Sequence, residues 1–105
     1  MHRDIKTQNI FIDSEGTIKL ADFGISKMLE HTNLLASTVV GTPYYLSPEA
    51  CSNTGYNYKS DIWSLGCVLY ELCTLEHPFN ADNILLLAKK ISTEEPKPIL
   101  SLYSN

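Results

Sequence analysis

Two short β-type runs, Ile10-Phe11-Ile12 and Thr17-Ile18-Lys19-Leu20, constrain this chain more than any other feature. They are joined by Asp13-Ser14-Glu15-Gly16, turn-forming residues that end in glycine. That pattern predicts an antiparallel hairpin. A hairpin returns the chain to where it started. Asn9 at its entrance and Asp22 just past its exit are therefore expected side by side, although thirteen positions separate them.

The residue types at those two points suggest a chemistry. Asn9 brings an amide oxygen and Asp22 a carboxylate. Oxygen ligands of this kind suit Mg²⁺, which takes one or two protein oxygens and fills its remaining positions with water and phosphate. Asp4 lies close enough to accept a proton from a nucleophile near such an ion. Lys6 adds a positive charge suited to a transferring phosphoryl group. Together these residues are expected to support phosphoryl transfer, where catalysis is mostly positioning and charge neutralisation. The bland alternative is a solvated polar loop, with Asp22 capping a strand end.

The run His2-Arg3-Asp4-Ile5-Lys6-Thr7-Gln8-Asn9, followed by Asp22-Phe23-Gly24, resembles the catalytic and metal-binding loops of eukaryotic protein kinases. The resemblance implies ATP and Mg²⁺ as cofactors and a protein with a Ser or Thr acceptor as substrate. It implies Asp4, Lys6 and Thr42 as catalytic residues. Lys6, Asn9, Phe11 and Asp22 would contact the nucleotide, with Phe11 under the adenine, and Asn9 and Asp22 would hold the metal. His2 would pack beneath Phe23, beside Gly24. Arg3 would receive a phosphate from the activation segment, which runs from Asp22 to Glu49 by the same resemblance. Thr38 is the expected phosphorylation site, since a phosphate there could form charge-assisted bonds with Arg3. Lys6-Thr7-Gln8 implies the serine/threonine class, and β-branched Ile25 after Gly24 implies a preference for threonine acceptors.

A second motif, Gly41-Thr42-Pro43-Tyr44-Tyr45-Leu46-Ser47-Pro48-Glu49, is similar to the segment that seats the substrate in the same family. Serine at position 47 departs from the commoner alanine. The arginine that partners Glu49 in the family would lie beyond Asn105, so that ion pair is not expected here. Lys59 to Leu75 reads as a helix. Ile62, Leu65, Val68, Leu69 and Leu72 fall at helical spacing, and Trp63, Cys67 and Cys73 make its other sides apolar, so it is expected to be buried all round. By resemblance, Asp61 and Trp63 are structural residues of this helix, with Asp61 holding the backbone of His2 and Arg3. As a plain alternative, Asp61 is a carboxylate favoured by the helix dipole. Ala81 to Ile91 forms an amphipathic stripe through Ile84, Leu87, Ala88 and Ile91, and Thr93 to Pro98 ends it.

Composition narrows the remaining choices. With 105 residues there is room for one small domain. A net charge of −4 argues against a nucleic-acid or anionic-membrane surface. Three cysteines without metal or disulfide spacing point to a reducing compartment such as the cytoplasm. No Gly-rich loop or Val-Ala-Ile-Lys strand precedes residue 2. The expected fold is therefore α+β: the mainly helical C-terminal lobe of the kinase fold with a short hairpin, truncated at both ends and lacking the N-lobe, as a partial domain over 1–105. The details of the motifs resemble the NIMA-related (Nek) serine/threonine kinases. The alternative is a non-catalytic kinase fragment that acts as an interaction module or is a truncated gene product. A small-molecule kinase is disfavoured by the peptide-seating look of Gly41 to Glu49.

Overall fold

The computed structural model describes residues 2–21, 43–100 and 102–103. Asp22, Phe23, Gly24, Ile25, Thr38 and Thr42, all named above, lie outside the described residues. After a single 3₁₀ turn at Thr7–Asn9, the described elements are strands β1 (Ile10–Ile12) and β2 (Ile18–Leu20), then helices α1 (Pro48–Cys51), α2 (Tyr58–Thr74) and α3 (Ile84–Thr93). This is a small α+β arrangement, with the strands paired antiparallel in the register Ile10↔Leu20, Phe11↔Lys19 and Ile12↔Ile18.

The hairpin turn is built by Asp13. Its Oδ1 accepts from the amides of Glu15 and Thr17, both at 2.9 Å. Gly16 follows at φ +83°, a left-handed conformation that glycine adopts without steric cost. Past the last paired residues, the Ala21 amide donates to the Asn9 carbonyl at 2.8 Å. The two ends of the hairpin therefore meet at Asn9 and Ala21, one residue before Asp22.

Each helix carries its own start signal. Ser47 caps α1, with Pro48 in the first turn. Asn57 and Ser60 form a reciprocal capping box on α2. Asn83 Oδ1 accepts from the Leu86 amide at 2.9 Å to cap α3. At its far end α2 is stopped by Leu75 in a left-handed conformation, φ 58°.

The core lies around α3. Phe79, Leu87 and Ile91 are its buried centre, with Tyr44, Leu46, Cys51, Trp63 and Ala81 packed against them. Trp63 stacks on Phe79 with ring centroids 5.9 Å apart. Leu87 and Ile91 thus bury the stripe read from the sequence.

The expectation for α2 requires correction. Ile62, Leu69 and Leu72 are 65%, 58% and 64% exposed, and the buried residues are Ser60, Ser64, Cys67 and Val68. The reason lies in the partners. The neighbours of α2 among the described residues meet the side that carries small and polar side chains, where hydroxyls find backbone and carboxylate acceptors. The Ser64 hydroxyl, for example, is placed to donate to the Tyr45 carbonyl at 2.8 Å or to the Ser60 carbonyl at 3.1 Å. The large aliphatic residues at helical spacing occupy the opposite face.

The contrast between the two helices is measurable. Leu87→Ala, at 1% exposure, should cost about 2–5 kcal/mol in urea unfolding. Leu69→Ala, on the exposed face of α2, should change stability by no more than about 0.5 kcal/mol.

Candidate active site

The loop from His2 to Asn9 is held by one carboxylate from another element. Asp61, in the first turn of α2, accepts the His2 amide on Oδ2 at 2.8 Å and the Arg3 amide on Oδ1 at 2.9 Å. Tyr56 donates its hydroxyl to the same Oδ1 at 2.6 Å. These bonds hold an unusual backbone: Arg3 stands at φ 69°, a conformation that costs a side-chain-bearing residue roughly 1–2 kcal/mol. The Arg3 guanidinium lies over the Tyr56 ring at 5.9 Å, so Tyr56 and Asp61 together receive the residue.

Burial alone would raise the Asp61 pKa. The Tyr56 hydroxyl and the Arg3 and His2 amides outweigh that effect, and the net shift is downward.

His2 faces the hairpin. Its Nδ1 accepts the Asp4 amide at 3.1 Å, so Nε2 carries the proton and donates to the Ala21 carbonyl at 2.7 Å. The imidazole therefore clips the start of the loop to the end of β2. Phe23, the packing partner expected for His2, is outside the described residues.

Inside the loop three of the expected functional side chains come together. Asn9 is buried, and its amide nitrogen donates to the Asp4 carbonyl at 2.8 Å and to Asp4 Oδ2 at 2.9 Å. Those two bonds set the amide rotation and leave the Asn9 oxygen for another partner. Lys6 Nζ lies 3.4 Å from Asp4 Oδ1. Both Asp4 oxygens are thus oriented by neighbours, while the carboxylate remains partly open to solvent. The Lys6 contact is partly exposed and worth little energetically, so the ammonium is free to follow an incoming anion.

Other expected residues stand elsewhere. Phe11 lies on β1 and is half exposed. Glu49 is paired with α2: Ser60 donates its hydroxyl to Glu49 Oε1 at 2.5 Å, and this bond is the main reason the Glu49 pKa is lowered. Trp63 belongs to the core stack, and its indole nitrogen is buried without a hydrogen-bond partner among the described residues. Among the described residues no group of three or more His, Cys, Asp and Glu side chains forms a metal site. The available oxygens suit an ion that takes only one or two ligands from protein.

Sequence reasoning missed a second link between the loop and α2. Thr7 Oγ1 lies 3.0 Å from the Tyr45 hydroxyl, and that hydroxyl donates to Glu71 near the end of α2. Burial first, and then the hydrogen bond to Glu71, hold the Tyr45 pKa above its ordinary value. The available signal was Glu71 itself, a lone carboxylate in the otherwise uncharged run from Ile62 to Leu75.

Residues 1–101 match the protein kinase domain family. The chain is 58% identical over 104 residues to the mouse serine/threonine-protein kinase Nek1, covering 99% of this chain and 9% of that protein. It is 60% identical over 109 residues to a probable serine/threonine-protein kinase nek3 of Dictyostelium discoideum, covering 100% of this chain and 10% of the relative. The G2-specific protein kinase nimA of Emericella nidulans is 49% identical over 105 residues, with 100% and 15% covered. The chain therefore spans between about a tenth and a sixth of the length of these relatives.

The lowered Asp61 pKa sets a direction for pH dependence. A carboxylate depressed by folding contributes stability that is fully present above its unfolded value, 3.8, and is lost as pH falls through the folded value. In unfolding measured from pH 7 to pH 3, stability should decline at the acid end, and Asp61→Asn should flatten that part of the decline. At pH 7 the same variant should cost about 1–3 kcal/mol, because its NH₂ group cannot accept the amide bond it replaces.

Proposed function

The chain belongs to the protein kinase domain family, and on that premise we propose that it carries the phosphoryl-transfer loop of a serine/threonine kinase of the NIMA-related kind. The observation that supports this most is the Asp4, Lys6 and Asn9 cluster, oriented within one loop and anchored through His2 and Arg3 on Asp61. In this reading residues 1–105 are part of the mainly helical C-terminal lobe of a kinase domain.

The chemistry follows from the residues. The substrate is a protein whose Ser or Thr hydroxyl approaches Asp4 and gives up its proton toward that carboxylate. Asn9 holds the carboxylate in place through its amide nitrogen. Lys6, in contact with Asp4, turns to the phosphoryl group as charge accumulates there. The spare Asn9 oxygen, together with Asp22, fits a magnesium ion. When bound, Mg-ATP supplies the phosphoryl group and neutralises its charge. Phe11 would lie under the adenine, and Thr42 would set the acceptor between Asp4 and Lys6. Arg3 receives phosphorylated Thr38 and so links loop order to modification. The three cysteines are free thiols, and burial pushes Cys67 up to about 11, which keeps that thiol protonated and unreactive.

A non-catalytic interaction module is the competing reading, favoured by the exposed aliphatic face of α2. Transfer of labelled phosphate from Mg-ATP to Ser/Thr peptides by the full-length protein separates the two. In that assay Asp4→Asn should lower kcat on the order of 10²–10⁴-fold with little change in ATP affinity. Undiminished turnover in this variant would remove Asp4 from its role. Thr38→Ala should reduce activity, and a phosphate-loaded protein should lose the benefit of loading when Arg3 is replaced by Ala.

A further inference from the structure

The side chains around Tyr45 form a hydrogen-bonded line that the phosphoryl-transfer scheme does not use. The Tyr45 hydroxyl donates to Glu71 Oε2. A phenol has one proton, so when Tyr45 donates to Glu71 the contact between Thr7 Oγ1 and the Tyr45 oxygen, 3.0 Å long, takes the Thr7 proton, for which Gln8 Oε1 at 3.3 Å is the competing and longer acceptor. Protons along the line therefore point from Thr7 to Tyr45 to Glu71.

At the end of the line the arrangement is incomplete. His77 Nδ1 is 3.7 Å from the same Glu71 oxygen, an ion-pair distance too long for a hydrogen bond. That nitrogen is buried and has no hydrogen-bond partner among the described residues. The ring is held in place by Tyr44, stacked at 3.8 Å with planes 4° apart, and by the edge of Tyr45 at 5.7 Å. The ring therefore sits between a carboxylate and an aromatic face.

We propose that His77 is a protonation-dependent positioning residue: its imidazolium draws Glu71 away from Tyr45 and reverses the hydrogen bond between Tyr45 and Thr7, in the loop that carries Asp4 and Lys6. The step moves one proton from solvent to the imidazole and breaks no covalent bond. Glu71 Oε2 closes on Nδ1–H to form a charge-assisted pair. The Tyr45 hydroxyl, released, turns to donate to Thr7 Oγ1. The Thr7 proton then turns to Gln8 Oε1, already 3.3 Å away. Tyr45 keeps its own proton throughout, consistent with its raised pKa. Among the described residues, the titratable groups against the ring are Glu71 from α2 and Tyr44 and Tyr45 from the segment before α1. Glu76, next to it in sequence, is exposed.

The inference stands apart from the phosphoryl-transfer reading, because its test needs no turnover. In the full-length protein, selectively labelled at histidine, threonine and glutamine, a pH titration by NMR follows the His77 ring together with the Thr7 amide and methyl and the Gln8 side-chain amide. The Thr7 and Gln8 signals should shift with the midpoint of the His77 ring. In Tyr45→Phe, which removes one oxygen, His77 should still titrate and Thr7 should cease to follow. In His77→Phe, which keeps the stack on Tyr44, the shared transition should vanish from Thr7 and Gln8. Thr7 signals that stay fixed while His77 titrates, or that keep the transition in both variants, would overturn the proposal.

Discussion

The two amide bonds to Asp61 are the constraint on which the loop depends. They fix the direction in which the chain leaves residues 2 and 3, and they hold Arg3 in a backbone conformation it would otherwise avoid. From there the path to Asn9 is short, and a single 3₁₀ turn brings the Asn9 amide back onto Asp4. The local chemistry of Asp4, Lys6 and Asn9 is thus set by a helix nearly sixty positions further along the chain. A helix N-terminus suits this duty, because its dipole favours a carboxylate there even before the amides arrive.

The hairpin plays the complementary part. It contributes little to the core, since most of its side chains are exposed. Its function is to return the chain to Asn9, and His2 secures that return by bonding the Ala21 carbonyl. Loop, hairpin and helix therefore form a closed circuit: Asp61 to His2, His2 to Ala21, Ala21 to Asn9, and Asn9 to Asp4. Every bond in it involves a backbone group. The circuit is consequently insensitive to most side-chain changes other than those at Asp61, His2 and Asn9.

Much of this was legible in the sequence, for identifiable reasons. The hairpin could be read because Asp13 and Gly16 are turn residues with defined roles, and the α3 stripe because Leu87 and Ile91 lie on one face of a short helix. The cluster of Asp4, Lys6 and Asn9 could be read because the three lie within six residues. The exposure of α2 could not. Periodicity identifies a helix and its apolar residues, but burial depends on which neighbours are present, and Ile62, Leu65, Leu69 and Leu72 have few among the described residues. Nor could the Thr7–Tyr45–Glu71 line be read. It joins three distant segments through side chains that each have ordinary alternatives, and only coordinates bring them together. Glu49 shows the same limit: its bond to Ser60 joins the first turns of α1 and α2, a meeting that no spacing rule encodes.

Helix α2 touches the loop twice. Asp61 reaches residues 2 and 3 from its first turn, and Glu71 reaches Thr7 through Tyr45 from its last. Ten residues separate the two carboxylates, about 15 Å along the axis and about 2.8 turns. The helix therefore works as a ruler, and the loop is cut to its length. Inserting or deleting one residue between them would rotate Glu71 by about 100° relative to Asp61 and shift it by about 1.5 Å, so both ends could no longer be engaged at once. The exposed side chains between them can change with little consequence, but the number of residues is fixed.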